Sequence, residues 1–332
     1  MQSTACPSRR RLLALAGAFA LPGAAMPGAS RAQAAFPVRP LTMIVPYTAG
    51  GASDIGARML NAEIGRRLGQ PVVIDNVAGA GGALGVQKAA RSPADGHTLL
   101  YGSLSETLLV PLINPKVGYG PDDLAAVAFA GATPAAFVVR PDFPADDLDR
   151  FIALAKRNPG KFNYGSPGNG TFQHVIGEAF KARAGIFMVH IPYRGGAQIL
   201  TDVIGGQIDV GITSAVNAAG YVANGRLKAI GVTSSKRLAA IGRAQPFGES
   251  APLADLELTT WGVVYVPAAT PAPVVQRLNE AVNAALMLPA NVTARKRLGA
   301  ELPAVLSAGE TQALVRSERA KYGPIVRSIR FE

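Results

Sequence analysis

Two stretches of the chain share one pattern of apolar and polar positions: a short apolar run, a glycine turn, then an amphipathic helix. The first is LTMIV followed by PYTAGGASD, Pro46 to Asp54, after which Ala57, Leu60, Ile64 and Leu68 recur on one helical face. The second is KFNYGS, then PGNGT, then FQHVIGEAFKAR, where Phe172, Val175, Ile176, Ala179 and Phe180 fall at i, i+3, i+4, i+7 and i+8. Each predicts a strand, a tight turn and a helix N-terminus, and two of them predict two lobes. The alternation continues through PVVID, a helix opened by GAGGALG, and HTLLYG, and later through FMVHIPY, a helix containing Ile199 and Val203, IDVGIT, a helix ending near NGR, and LKAIGVT. Strand-length apolar runs separated by helical periods predict an α/β fold, each lobe a doubly wound sheet flanked by helices. AAVAFAGATPAAFVVRP predicts two short strands joined by a bend at Pro134, crossing between lobes. After an irregular stretch from Ser234 to Leu258, TWGVVYVP predicts a strand, and helices are expected from Pro271, Pro289 and Gly309.

The turns carry the candidate chemistry. The first N–H groups of a helix have no intrahelical partner and sit at the positive end of its dipole, so they favour an anion. Gly50 and Gly51 can take positive φ and, without a Cβ, let ligand oxygens approach the backbone. Ser53 and Asp54 are expected at the cap positions. Alone, a glycine pair of this kind is a capped βα turn; its recurrence in both halves makes a shared ligand site the competing reading.

The N-terminus changes the picture of where the chain works. Arg9, Arg10 and Arg11 precede an apolar core from Leu12 to Leu21, and Ala32-Gln33-Ala34 offers a small-x-small cleavage site. Residues 1–34 therefore read as a signal peptide and the expected localisation is periplasmic, because the apolar core is well short of the ~20 residues of a spanning helix. Ser8 to Leu13 resembles a twin-arginine signal without its usual phenylalanine and lysine, so the general and twin-arginine routes both stand. Cys6, the sole cysteine, leaves with the leader, and no disulfide or cysteine metal site is expected in the mature chain. Loss of the four leader arginines lowers the formal net charge from +11 to +7. The remaining basic residues are scattered and aromatic residues are few, which argues against a nucleic-acid partner and for a mild pull on anionic solutes.

Other chemistries fit poorly. GAGGALG is spaced Gly-x-Gly-x-x-x-Gly and the next strand, HTLLYGS, ends on no acidic residue to hold a ribose, so a second anion turn is preferred to a dinucleotide site and no cofactor is expected. Ser166 in YGSPG and Ser103 in YGSLS lack the glycine two residues before the serine that a nucleophile elbow needs. His97, His174 and His190 lie in separate segments with no paired metal-ligand spacing. His97 and His190 border strands and read as structural, whereas His174, on the first turn after the second glycine turn, faces either the cleft or the Thr171 cap. No catalytic residue or metal ligand is assigned.

Taken together, RPLTMIVPYTAGGASD, LGQPVVIDNVAGAGGALG, ADGHTLLYGS, NPGKFNYGSPGNGTFQH, HIPYRGGAQILTDVIGGQIDV, GRLKAIGVTSSKR and VPAATPAPVVQRLN resemble, in this order and spacing, the substrate-binding proteins of tripartite tricarboxylate transporters, the Bug or TctC-type periplasmic receptors. The resemblance covers nearly the whole mature chain. It implies a Venus-flytrap, type II-like periplasmic binding protein that holds a small organic carboxylate between its lobes, acts as a monomer, and delivers its ligand to the membrane subunits of a transporter or to a sensor.

By the same resemblance the ligand is gripped by Tyr47, Thr48, Ala49, Gly50, Gly51, Ser53 and Asp54 from one lobe and by Ser166, Gly168, Asn169, Gly170, Thr171 and His174 from the other. Gly102 and Ser103, Tyr193 and Arg194, and Thr213 complete the walls. Relatives commonly carry an acidic residue and an asparagine where this chain has Thr213 and Ser214, which weakens the case for an amino-acid ligand. Val77-Ala78 stands where a proline is usual, and Ile241 to Pro252 departs most from the family pattern. The expected lobes are 36–135 with 233–332, and 136–232. The rival reading is an exported hydrolase or lyase using Asp54 or His174 as acid or base in the same cleft.

Overall fold

The computed structural model describes residues 36–256, 258–300 and 304–329, with Gln2 apart from them. The expected signal peptide and its cleavage point lie outside the described residues. In order, the chain forms β1 (Leu41–Val45), α1 (Ala52–Leu68), β2 (Val72–Asn76), α2 (Ala83–Ala90) and β3 (Thr98–Ser103). A π-helical turn, Ser105–Leu109, leads into α3 (Val110–Ile113) and β4 (Leu124–Val139). Then come α4 (Leu148–Arg157), β5 (Asn163–Ser166), α5 (Phe172–Ala184), β6 (Val189–Pro192), α6 (Gly196–Ile204), β7 (Val210–Ser214), α7 (Ala215–Ala223) and β8 (Lys228–Val232). β9 (Gln245–Pro246), β10 (Thr259–Pro267), α8 (Ala272–Leu286), α9 (Pro289–Arg297) and α10 (Ala308–Ser328) complete it.

The fold is α/β and two-lobed, with mixed sheets. β1 pairs in parallel with β2 and β3, and β10 lies antiparallel between β3 and β4. In the second set β5 pairs in parallel with β6 and β7, while β4 runs antiparallel to β7 and β8. The path is β2-β1-β3-β10-β4-β7-β5-β6. Where two short strands and a bend were expected, β4 is one strand of 16 residues. It pairs with β10 as far as Pro134, with β7 from Ala135 and with β8 from Ala136, so the proline marks a change of partner rather than a break. The return of the chain meets it at the same place: Ala135 N donates to Thr233 Oγ1 at 3.0 Å, and Thr233 Oγ1 donates to Leu258 O at 2.7 Å.

The periodic stripes are core. Ala57, Leu60, Ile64 and Leu68 of α1 pack with Leu41, Met43, Val264 and Leu278. The α5 stripe joins a larger cluster with Phe137, Phe151 and Phe247. Unlike α1, α5 is buried around its whole circumference from Phe172 to Lys181: Gln173, His174, Glu178 and Lys181 are covered as well. That buried charge is internally matched, because Lys181 Nζ lies 2.8 Å from Glu178 Oε2 and Tyr164 donates to Glu178 at 2.6 Å.

Candidate functional site

A cleft of about 910 Å³, its open mouth included, lies where the β1–α1 turn, β3, the crossing strands β4 and β10, and the N-termini of α6 and α7 meet. Its wall takes Tyr47, Gly51 and Ser53 from the first turn, Ser103 and Ser105 after β3, and Thr133, Thr260 and Trp261 from the crossing. Pro167, Gln173, Gly196, Thr213 and Asn217 face them from the second set of elements. Among the described residues lining it, Arg295 of α9 is the single charged side chain, and no carboxylate reaches the wall.

The first turn presents an open helix end. Gly50 takes φ +79°, where only a residue without Cβ sits comfortably, whereas Gly51 is extended and forms the N-cap of α1 with no side-chain cap. Ser53 and Asp54 are therefore inside the first turn rather than at the cap. Asp54 is buried and braces the loop from behind: its carboxylate accepts from Gly50 N at 2.9 Å, Arg58 Nε at 2.9 Å and Asn76 Nδ2 at 3.1 Å. Burial pushes this carboxyl up, but those donors outweigh it and hold it below the usual carboxylate range. With its charge supplied to the loop, Asp54 leaves the N–H groups of the first helical turn unclaimed by any side chain, and Gly51, Ala52 and Ser53 face the cleft.

Behind the same turn sits Glu106, buried in the π-helical turn and reached by Tyr47 OH at 2.8 Å, by Ser103 Oγ at 2.6 Å and by Ser103 N. Burial raises it to about 7 against the pull of those donors. It fixes the orientation of two residues, Tyr47 and Ser103, that do line the cleft.

The second turn is closed upon itself. Thr171 is wholly buried; its Oγ1 donates to Gly168 O at 2.8 Å and accepts from His174 N at 3.4 Å, capping α5. Ser166 Oγ, also buried, lies 2.7 Å from His190 Nε2. Gly170 N donates to His174 Nδ1 at 3.1 Å, and the His174 ring stacks on His190 with centroids 4.0 Å apart. Burial drives both imidazoles neutral, His174 down to about 4 and His190 to about 3. The choice left open for His174 falls to the cap side.

GAGGALG is a packing surface rather than a second anion turn. A Cβ on Gly81 would stand 2.7 Å from Asn169 O, and one on Gly168 3.1 Å from Gly81 Cα, so the two glycine turns touch backbone to backbone. Ser105 Oγ accepts from Phe172 N at 3.0 Å and ties the same junction.

Of the residues expected from sequence, Tyr47, Gly51, Ser53, Ser103 and Thr213 line the cleft. Thr48, Ala49, Gly50, Asp54 and Gly102 are not in that wall, nor are Ser166, Gly168, Asn169, Gly170, Thr171 and His174, although Pro167 and Gln173 from the same stretch are. Tyr193 spends its hydroxyl on Asp202 at 2.7 Å, and Arg194 is exposed. Sequence reasoning passed over Gln173, although it stands inside the quoted NGTFQH stretch, and over Thr133, Thr260 and Trp261, which enter only because β4 and β10 cross at the cleft. Arg295 had no signal at all among its basic neighbours Lys296 and Arg297.

The model of the tripartite tricarboxylate transporter family receptor matches residues 56–331. Protein BugT of Bordetella pertussis is 33% identical over 320 residues, which is 96% of this chain and 97% of BugT. Among solved structures, one described as a periplasmic transporter superposes with a TM-score of 0.84 at 32% identity, over 88% of this chain and 98% of its own. MatC of Rhodopseudomonas palustris with bound malate superposes with a TM-score of 0.83 at 30% identity, over 88% of this chain and all of MatC.

Proposed function

The chain belongs to the tripartite tricarboxylate transporter receptor family, and on that premise we propose that it captures a small organic carboxylate in the periplasm and presents it to the membrane subunits of a transporter or to a sensor. The observation that carries this reading is the uncapped N-terminus of α1 opening onto a cleft with no acidic side chain in its wall. Free N–H groups at the positive end of a 17-residue helix stabilise a carboxylate, and the hydroxyls of Ser53, Ser103 and Thr213 can add donors. Tyr47, Gly51, Ser53, Ser103 and Thr213 are the proposed contacts, and the second turn, Ser166 to His174, is their rigid counter-wall. Malate in the similar MatC supports the ligand class, and the leader together with the similar periplasmic transporter supports the compartment.

The lobes are proposed as 36–135 with 233–332, and 136–232. The change of partner in β4 between Pro134 and Ala135, and the hydrogen bonds that join Thr233 to Ala135, support a hinge at these two crossings. A hydrolase using Asp54 or His174 is disfavoured because neither side chain is among the residues lining the cleft, and the Asp54 carboxylate already accepts from Gly50, Arg58 and Asn76.

A thermal-shift screen of the mature protein over mono-, di- and tricarboxylic acids tests the reading. A ligand at 100 times its dissociation constant stabilises by about 2.7 kcal/mol, so true ligands move the midpoint by several degrees. Mass spectrometry before and after incubation should recover each bound acid unchanged. A flat screen, or turnover of a bound acid, would remove the proposal.

A further inference from the structure

Arg295 presents a problem that packing alone does not solve. It is 5% exposed, lines the cleft, and uses Nη1 to donate to Ala130 O at 2.6 Å. Its Nε and Nη2 are buried and have no hydrogen-bond partner among the described residues, and no carboxylate lies within ion-pair distance of it there. A guanidinium is charged at every physiological pH, and a buried charge without a counter-ion is strongly unfavourable. Leaving it so in the wall of a cavity makes sense where an anion completes the site.

The placement is built rather than incidental. Asn291, one turn earlier on the same face of α9, donates to Met59 O at 2.9 Å and Ala285 O at 2.7 Å, which fixes that face of the helix inward while Lys296 and Arg297 stay exposed. This anchor meets α1 at Met59, about two turns beyond the Gly51 end. The guanidinium thus belongs to a different wall from the open helix end. Beside it in the cleft, Thr260 Oγ1 is likewise buried and unpartnered among the described residues. Thr260 stands opposite Thr133 in the β4–β10 ladder, and Thr133 is three residues along β4 from Ala130, whose carbonyl Arg295 holds.

We propose that Arg295 contacts the ligand and receives a second acidic group, assisted by Thr260, the entering acid drawing the buried Nε and Nη2 edge of the guanidinium into the cleft to form the fork, while the α1 N-terminus takes the first. This rests on the carboxylate reading of the cleft and makes Arg295 the residue that sets preference for doubly over singly charged acids.

Calorimetric titration with succinate and its monoamide, and with adipate and its monoamide, tests this in the wild type, Arg295→Met and Arg295→Lys. The wild type should prefer one diacid over its monoamide by at least tenfold. Arg295→Met should abolish that preference with no fall in the melting point of the unliganded protein, since an unpaired buried charge has been removed. Arg295→Lys, which keeps the charge but not the fork, should retain less than a third of the preference. A preference that survives in Arg295→Met makes Arg295 a mere brace for Ala130 and overturns the proposal; if that variant does not fold, an undiminished preference in Arg295→Lys does the same. Equal binding of diacids and monoamides by the wild type overturns it while leaving the receptor reading intact. Failure of the wild type to bind any carboxylate in the thermal screen removes both.

Discussion

The two glycine turns are closed by the same hydrogen bond made with opposite electrostatics. In the first, Gly50 N–H donates to the carboxylate of Asp54, four residues on; in the second, Gly170 N–H donates to the neutral imidazole of His174, also four residues on. The surroundings explain the choice. Asp54 has Arg58 reaching in from solvent and Asn76 beside it, so a charge there is matched. From Phe172 to Lys181 α5 is covered on all sides, and the buried ion pair there, Glu178 with Lys181, is already complete, so another charge would go unmatched. The caps differ in the same sense: α5 is capped by Thr171, whereas α1 has only Gly51. Similar local grammar therefore yields one open helix end and one sealed one.

The largest effect should come from exchanging the two devices. His174→Asp places a carboxylate beside Glu178, whose Oε1 is 4.0 Å from the His174 ring, and should cost about 3 kcal/mol or more in urea unfolding at pH 7. His174→Asn keeps a neutral acceptor for Gly170 N and should cost about 1 kcal/mol. Equal losses in the two variants would show that shape, not charge, selected histidine.

The pH dependence should have opposite signs at His174 and at Glu106. His174 is held down to about 4, so the folded state binds fewer protons than the unfolded one, and its contribution is present above pH ~6.5 and lost as pH falls towards 4. Glu106 is held up to about 7, so its contribution is present below pH ~4.5 and lost as pH rises through 7. Each is worth about 3 kcal/mol in order of magnitude. Unfolding measured from pH 4 to 8 should show Glu106→Gln flattening the alkaline limb and His174→Asn flattening the acid limb. A variant that shifts the whole curve without altering either limb would contradict the assignment.

The smallest effects separate cap from contact. Thr171→Val should lower stability by about 1 kcal/mol and leave carboxylate affinity within about threefold. Ser53→Ala should change stability by less than about 0.5 kcal/mol yet weaken the best ligand of the thermal screen. The reverse pattern would exchange the roles of the two turns.

The periodicity that marks Leu60 and Ile64, or Phe172 and Phe180, is a property of consecutive residues, so the strand-turn-helix units and their buried stripes were legible directly. So was the family resemblance. Gln173 could have been read from the same stretch as Thr171, but nothing local says which of the two points outward. The helix cap expected at Ser53 moved to Gly51 because Gly50, and not a cap residue, claims the Asp54 carboxylate.

What the chain determined alone is the set of pieces: an α/β alternation, two glycine turns that each lead into a helix, an excess of positive charge, and a resemblance to a solute-receptor family. Folding decided which turn stays open, because the sealing of the second depends on His190, on Gly81 and on Ser105, all remote from it in sequence. It also decided that β4 would run unbroken past Pro134, since its partners β10, β7 and β8 come from later segments. Arg295 is the extreme case: its neighbours in the chain are exposed and basic, and only the packing of α9 against α1 and β4 turns its charge into the cleft. Burial and desolvation are properties of the assembled molecule, and they are what distinguish a surface arginine from one that requires an anion.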